Sequence, residues 1–344
     1  MGILRELKEK YRTISIVGMA KNSGKTTALN YIIEEAMDEG IVLGITSTGR
    51  DGESQDLVTG TEKPKVFLDA GTFVSVPVQL YELADAGLEI LKMTPYSTAI
   101  GELMLCRVVE SGYVQIAGPL NTTDHKKLCR EMLDRGADLV LVDGAIDRRS
   151  IAAPSTSDAI ILATGAVLSR SIKKVVEETA HIVNIYGLPV LEQGEVRTMI
   201  EAEIEKEKIV LVSKKEEERS VKVLELLTGL GASSFIDEMI DEKTEAVYIP
   251  GALTASVLAD IHPDKLKCTQ IILKDPTKIF IDHLTWQQKV KKGLRVKVLE
   301  NIKVAAITVN PFSPQGYSFE SEALMAEMRA AIKNIPIVDV KRNL

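Results

Sequence analysis

A Gly-Lys-Thr-Thr sequence that follows a short apolar run near the start of the chain could bind the phosphates of a nucleotide. The run Thr13–Val17 predicts a β-strand, and helical periodicity begins at Lys25. Backbone N–H groups in a strand-to-helix loop converge on phosphate oxygens, and the helix dipole strengthens the attraction. Lys25 would contact the β- and γ-phosphates, and the Thr26 hydroxyl is a suitable Mg²⁺ ligand. The predicted nucleotide-binding residues are Gly18, Lys21, Asn22, Ser23, Gly24, Lys25, Thr26 and Thr27.

The spacing of this loop differs by one residue from the usual pattern. Five residues separate Gly18 from Gly24, where phosphate loops normally have four, so the loop is longer or begins at Met19. The alternative is a strand-to-helix turn that binds nothing. Lys21 would act across the interface of a homodimer, contact the γ-phosphate within its own chain, or remain in solvent.

Three carboxylates at predicted strand ends could hold the second side of a bound Mg²⁺. Asp143 closes the run LVLVDG and is the favoured ligand, although an aspartate that caps a turn would fit the same pattern. Asp51 lies in the Gly-rich segment TSTGRDGESQD, which would either face the nucleotide or form a solvated loop. Asp69, after the run VFL, is the weakest candidate. The predicted catalytic residues are Lys25, Asp143 and Asp51, and the predicted metal ligands are Thr26, Asp143 and Asp51.

The sequence favours ATP over GTP as the nucleotide. Guanine recognition normally requires an Asn/Thr-Lys-x-Asp loop after a strand, and the closest segment, Ser213-Lys214-Lys215-Glu216, resembles it only distantly. The predicted cofactors are therefore ATP and Mg²⁺.

Composition argues against several other classes of protein. The chain has 344 residues, of which 45% are hydrophobic and 26% charged, and its formal net charge is −7. This balance gives no global basic surface for nucleic acid. The three cysteines and four histidines lack metal-like spacing, and no apolar run approaches the ~20 residues that span a bilayer. Since the N-terminus has no apolar leader, we expect a cytoplasmic protein that binds neither membrane nor nucleic acid.

Short Val- and Ile-rich runs alternate with helical patterns along the chain, which is typical of an α/β fold with a parallel sheet. The predicted strands are Thr13–Val17, Ile41–Thr46, Val66–Leu68, Tyr113–Ala117, Leu139–Val142, Ala159–Ala163, Ile209–Val212, Ala246–Ile249, Ile271–Leu273, Lys278–Ile281, Val304–Val309 and Ile337–Val340. The predicted helices include Lys25–Asp38, Val78–Lys92, Asp124–Arg135, Ser169–Tyr186, Arg219–Leu230 and Leu253–Ile261.

A charged segment at 192–208 predicts a connecting helix and a domain boundary. We expect a P-loop NTPase domain with a parallel sheet over residues 1–195. A smaller α/β domain, accessory or partner-binding, would follow over residues 209–344.

Several segments together resemble the KamB family of lysine 5,6-aminomutase reactivase subunits. They are GMAKNSGKTT (18–27), TSTGRDGESQD (46–56), AGP (117–119), LVLVDGAIDRRS (139–150), ATGAVLS (163–169) and NPFSPQG (310–316). The nucleotide-binding half is also similar to the dethiobiotin synthetase and MobB-like branch of P-loop proteins. Only the phosphate loop is specific by itself, and the resemblance otherwise rests on pattern and order over most of the chain.

The resemblance implies an ATPase subunit that works with a KamC-like partner ATPase on a cobalamin-dependent aminomutase. Such a factor would release damaged cofactor from the trapped enzyme. The chain has no cobalamin-binding Asp-x-His-x-x-Gly pattern, so we do not expect it to hold the cofactor itself. The alternatives are an ATP-dependent kinase or ligase for a small molecule, and a binding module gated by nucleotide with negligible turnover.

Overall fold

A nine-stranded sheet organises the first of two structural units. The protein is seen in a computed structural model, which describes residues 2–48, 65–98, 100–144, 157–215, 218–224 and 232–340. Its contacts divide the chain into one unit of residues 1–179 and 303–344 and a second unit of residues 180–302. The architecture is α/β, with a large, mostly parallel sheet.

The helices and strands are numbered in chain order. The helices are α1 (Leu4–Lys10), α2 (Lys25–Glu39), α3 (Thr122–Asp134), α4 (Ile172–Tyr186), α5 (Glu195–Glu203), α6 (Ala232–Met239), α7 (Pro263–Cys268), α8 (His283–Lys291) and α9 (Ser321–Ala331). The strands are β1 (Thr13–Gly18), β2 (Leu43–Ser47), β3 (Val66–Leu68), β4 (Phe73–Pro77), β5 (Gly87–Thr98), β6 (Gly101–Glu110), β7 (Gly112–Val114), β8 (Leu139–Asp143), β9 (Ala159–Gly165), β10 (Ile209–Lys215), β11 (Glu218–Leu224), β12 (Thr244–Tyr248), β13 (Leu253–Thr254), β14 (Gln270–Leu273), β15 (Ile279–Phe280), β16 (Arg295–Val298), β17 (Val304–Asn310), β18 (Phe312–Ser313), β19 (Tyr317–Ser318) and β20 (Ile337–Asp339).

The large sheet has the strand order β20-β17-β9-β1-β8-β2-β4-β6-β5. Strands β20 to β4 in this order are parallel, whereas β6 and β5 add an antiparallel hairpin at one edge. Strand β1 lies between β8 and β9, and its residues from Ile14 onward are buried. Continuous burial of this kind explains why these strands are apolar runs without alternation.

Helix α2 packs its apolar stripe into the core of this unit. Leu29, Ile32, Ile33 and Ala36 are buried with β1 residues in one cluster, as their helical spacing predicts. Gly40 ends the helix at φ 64°, and its N–H donates to the carbonyls of the last turn. A left-handed cap of this kind is favourable for glycine.

Residues 303–344 return to the first sheet, which differs from the predicted division into 1–195 and 209–344. Strand β17 inserts between β9 and β20, with Val309 beside Thr164 and Asp339. The sequence of an apolar strand in a parallel sheet does not indicate which strand it pairs with. The prediction followed chain order and therefore assigned β17 and β20 to the second domain.

The prediction of a helix over 78–92 is wrong. A 3₁₀ turn covers Val78–Leu83, and strand β5 begins at Gly87 and pairs with β6. Because β5 is an edge strand, large apolar side chains such as Ile90 and Met93 remain exposed. The three-residue spacing of Ile90 and Met93 resembles the apolar stripe of an amphipathic helix.

A five-stranded sheet with the order β11-β10-β12-β14-β16 forms the second unit. Strands β12, β14 and β16 are parallel, whereas β10 is antiparallel to both neighbours.

The helix predicted over 219–230 is wrong for its described part, because residues through Leu224 form β11 against β10. The helix predicted over 253–261 is also wrong, since β13 is followed by turns in which Thr254 bonds Ser256. Hydroxyl side chains of this kind compete with helix formation.

None of the helices in the described ranges has the length and apolarity needed to cross a membrane.

A buried histidine on α3 is expected to make stability depend on pH. Burial of His125 lowers its pKa to about 4 from the ordinary 6.5. The unfolded chain therefore binds this proton at a higher pH than the folded chain does. Stability should fall as the pH drops from about 6.5 to about 4, by about 3 kcal/mol from this group. Denaturant unfolding of wild type and His125→Gln at several pH values measures this, and an equally steep profile in the variant would contradict it.

Candidate functional site

The loop predicted to bind phosphate, between β1 and α2, leaves the centre of the large sheet at the carboxyl ends of its parallel strands. Ile16 pairs in register with Asp143 on β8, and Gly18 pairs with Ala163 on β9. Ser47, at the end of β2, also pairs with Asp143. In open α/β sheets this edge is where ligands bind.

Backbone hydrogen bonds fix the path of the loop from β1 to α2. The N–H of Met19 donates to the carbonyl of Ala163 at 2.9 Å, and the N–H of Ser23 donates to that of Ala20 at 3.2 Å. Asn22 and Gly24 adopt positive φ values of 63° and 95°. No side chain of the described residues caps the start of α2. The N–H groups of its first turn can therefore receive an anionic ligand.

Two glycines are sterically required in this loop. A Cβ on Gly18 would lie 2.4 Å from Ser23 Oγ and 3.0 Å from Lys25 Cγ. A Cβ on Gly24 would lie 3.0 Å from the Cβ of Asn310, in a backbone conformation that also disfavours side chains. Both positions therefore favour glycine.

Lys25 and Asp143 form an ion pair across the mouth of the loop. Lys25 Nζ lies 3.8 Å from Asp143 Oδ1, and the side chains are 13% and 33% exposed. The first residue of α2 and the last of β8 are thus brought together, as a nucleotide site would require. The separation is too long for a tight hydrogen bond, so the pair is an electrostatic contact.

The other loop residues differ in exposure. Lys21, Asn22 and Thr26 are exposed, and Thr27 is half-buried. Ser23 is 2% exposed, and its Oγ has no hydrogen-bond partner within the described part of the chain. A buried hydroxyl without a partner is costly.

The remaining predicted carboxylates are not at this edge or are outside the described residues. Asp51 lies outside the described ranges. Asp69 follows β3, which pairs with β7 in a separate two-stranded sheet, and its carboxylate accepts a hydrogen bond from Ser111. Asp69 is therefore not brought to the loop.

Asn310 lies beside the loop at the end of β17. It is not among the site residues predicted from the sequence. It pairs in register with Gly165, and a Cβ on Gly165 would lie 2.0 Å from its carbonyl oxygen. Nearby, the Tyr317 hydroxyl donates to the carbonyl of Ala166 at 2.5 Å. The segments ATGAVLS and NPFSPQG therefore meet at the same edge. In the sequence, these two segments were connected by the resemblance to the KamB family, which includes both of them.

Comparisons with known proteins do not assign this arrangement to a family. No family model, no curated protein and no solved structure matches the chain. What the site can do must therefore be inferred from its own residues.

Proposed function

We propose that the chain binds ATP and Mg²⁺ at residues 18–27 as a P-loop NTPase. One observation carries the proposal. A loop with two closely surrounded glycines joins a central parallel strand to a helix, and Lys25 at the helix start lies 3.8 Å from Asp143. Loop N–H groups and a lysine charge are the means by which such loops hold polyphosphates.

The donors near the loop fit a hard divalent cation. The Thr26 hydroxyl is exposed and the Asp143 carboxylate is one-third exposed, so both oxygens can reach a ligand. Bound Mg²⁺ would supply charge neutralisation at the β- and γ-phosphates. In our proposal Lys25 contacts the phosphates, and the Asp143 carboxylate binds the metal directly or through water. Asp51 remains a second carboxylate candidate from the sequence.

The reactivase role rests on the resemblance to the KamB family. ATP can loosen a trapped complex only if two nucleotide states of the factor differ in affinity for the target. In this proposal the nucleotide site drives that difference, and a KamC-like ATPase and a cobalamin-dependent aminomutase are the partners. A homodimer, with Lys21 acting in trans, would be one form of the factor.

Recovery of aminomutase activity tests the role. The assay combines an aminomutase inactivated by turnover, fresh adenosylcobalamin, ATP with Mg²⁺, the chain and its partner ATPase. We expect recovery that requires ATP and is lost with Lys25→Ala. Equal recovery without ATP would contradict the role. Failure of recovery, together with ATP turnover stimulated by a small metabolite, would instead support the kinase or ligase alternative.

The two glycines that flank α2 offer a matched pair of substitutions. Gly24 and Gly40 both have positive φ, at 95° and 64°, so alanine should destabilise either site by roughly 1–2 kcal/mol. A Cβ at Gly40 meets nothing within 4 Å, whereas one at Gly24 presses on Asn310. We expect only Gly24→Ala to weaken ATP binding in calorimetry at a temperature where both variants are folded. Equal weakening in both would contradict a local role for Gly24.

A further inference from the structure

A cleft of about 460 Å³ in the second unit lies beside the first turn of α5. The registers place Ala246, Gln270 and Arg295 side by side on β12, β14 and β16, and all three line it. Gly194 precedes α5, and no described side chain caps this helix. The cleft is therefore bounded by a row of strand residues and by backbone N–H groups at the positive end of a helix dipole.

Two of the four cations that line the cleft are already paired with acids. Arg219 contacts Glu195 at 2.5 Å and Glu245 at 2.7 Å, and these acids hold its pKa above the ordinary value. Arg197 bonds Glu201 at 2.8 Å and the carbonyl of Leu191 at 2.8 Å. Arg197 is thus balanced by one acid, whereas Arg219 together with its two acids carries one net negative charge.

Arg295 and Lys297 are the other two cations and have no such partners. They are two residues apart on β16, so their side chains project on the same side of the sheet, and both line the cleft. Across the described ranges neither forms an ion pair or a side-chain hydrogen bond. The lining acids are Glu192, Glu195 and Glu245, and the last two are used by Arg219. The lining therefore has four cations and three acids, a net charge of +1, and among the described residues its cations without partners are Arg295 and Lys297.

We propose that this cleft binds a small dianion, of the phosphate-ester or dicarboxylate class. Arg295 would bind two oxygens of one acidic group through its planar guanidinium, and Lys297 would act as a point charge on the second negative charge. The Gln270 amide and the α5 N–H groups supply neutral donors. The site is independent of the phosphate loop and adds a second ligand to the proposed nucleotide.

Cys268 provides a reporter inside the cleft. It lines the cleft and is exposed, whereas the other two cysteines of the chain, Cys106 and Cys129, are buried. Methanethiosulfonate reagents with a sulfonate, a trimethylammonium or no charge modify thiols by the same reaction. Their relative rates at Cys268 in the full-length chain at low ionic strength therefore report the local potential.

We expect the sulfonate reagent to react with Cys268 about threefold faster than the trimethylammonium reagent, because Arg295 and Lys297 attract the anion and the acids of the lining offset part of that attraction. The net charge of −7 would by itself favour the opposite order. Arg295→Gln with Lys297→Gln should bring the ratio below one, because three acids of the lining then face only two cations. Lys173→Gln with Lys174→Gln removes equal charge from exposed positions outside the cleft lining and should leave the ratio unchanged. A single reactive thiol in each variant confirms that it is folded.

Protection experiments then test ligand binding and its chemical source. Inorganic phosphate or succinate should slow modification by the neutral reagent in wild type and not in the Arg295 and Lys297 double variant. Protection by phosphate alone assigns a phosphate ester, and protection by succinate alone assigns a dicarboxylate. Protection retained in Lys25→Ala excludes an effect relayed from the phosphate loop. A rate ratio near one in wild type, or no protection by either anion, would overturn the proposal while leaving the nucleotide site untouched.

Discussion

Lys25→Ala is expected to weaken ATP·Mg²⁺ binding by about ten- to a hundredfold, because a hydrogen bond to a charged group contributes ~1.5–3 kcal/mol. Hydrolysis should fall further, by roughly 10²-fold or more, since charge on the transferred phosphate is stabilised most in the transition state. Lys25 is only 13% exposed and its described ion pair is with Asp143, so its charge is held at the loop. Titration calorimetry and phosphate release measure the two effects.

Lys173→Ala is the matched control for this substitution. Lys173 is a helical lysine whose side chain is 86% exposed and whose ion pair with Glu177 is long, at 3.9 Å. It should retain the affinity and the turnover of wild type. Helical content should be the same in both variants, because neither lysine belongs to the hydrophobic core. An unaltered ATP affinity in Lys25→Ala, with the control also unaltered, would exclude the phosphate-loop assignment.

Asp143→Asn is expected to reduce Mg²⁺-dependent binding and hydrolysis more than nucleotide binding without metal. The amide has nearly the same size but lacks the charge that attracts the metal. Turnover should fall by about tenfold or more, and raising the Mg²⁺ concentration should recover part of the loss. A Mg²⁺ titration of ATP turnover measures the shift. Binding in the presence of a chelator should remain within a few-fold of wild type.

Asp69→Asn serves as the control for Asp143→Asn, because Asp69 follows β3 and bonds Ser111 away from the loop edge. It should leave the Mg²⁺ dependence unchanged. If Asp51→Asn produces the metal-dependent loss and Asp143→Asn does not, the metal carboxylate lies in the segment after β2. The assignment of Asp143 would then be wrong.

Local pattern predicted the elements that build the loop. The strand before Gly18, the helix from Lys25 and its cap at Gly40 follow from side chains close together in sequence, and the structure confirms them. The sequence also predicted that Lys25 and Asp143 lie close together. Lys25 follows β1 and Asp143 ends β8, and the carboxyl ends of neighbouring parallel strands meet at one edge of a sheet.

Pairing between distant segments could not be predicted in the same way. Asn310 lies 286 positions after Gly24 in sequence (310 − 24), and only the insertion of β17 beside β9 brings it to the loop. Buried parallel strands are all continuous apolar runs, so nothing local distinguishes one neighbour from another. The edge strand β5 was mistaken for a helix because its exposed apolar residues obscure the two-residue alternation of a strand.

Hydrogen–deuterium exchange with and without ATP·Mg²⁺ tests most directly whether residues 18–27 hold a nucleotide. The amides that follow Gly18 and open α2 should exchange more slowly when their N–H groups bind phosphate. We expect ATP-dependent protection in peptides that cover residues 18–29, and loss of that protection in Lys25→Ala. Unchanged exchange of these peptides at an ATP concentration that saturates binding, or protection confined to other segments, would contradict a nucleotide site at residues 18–27.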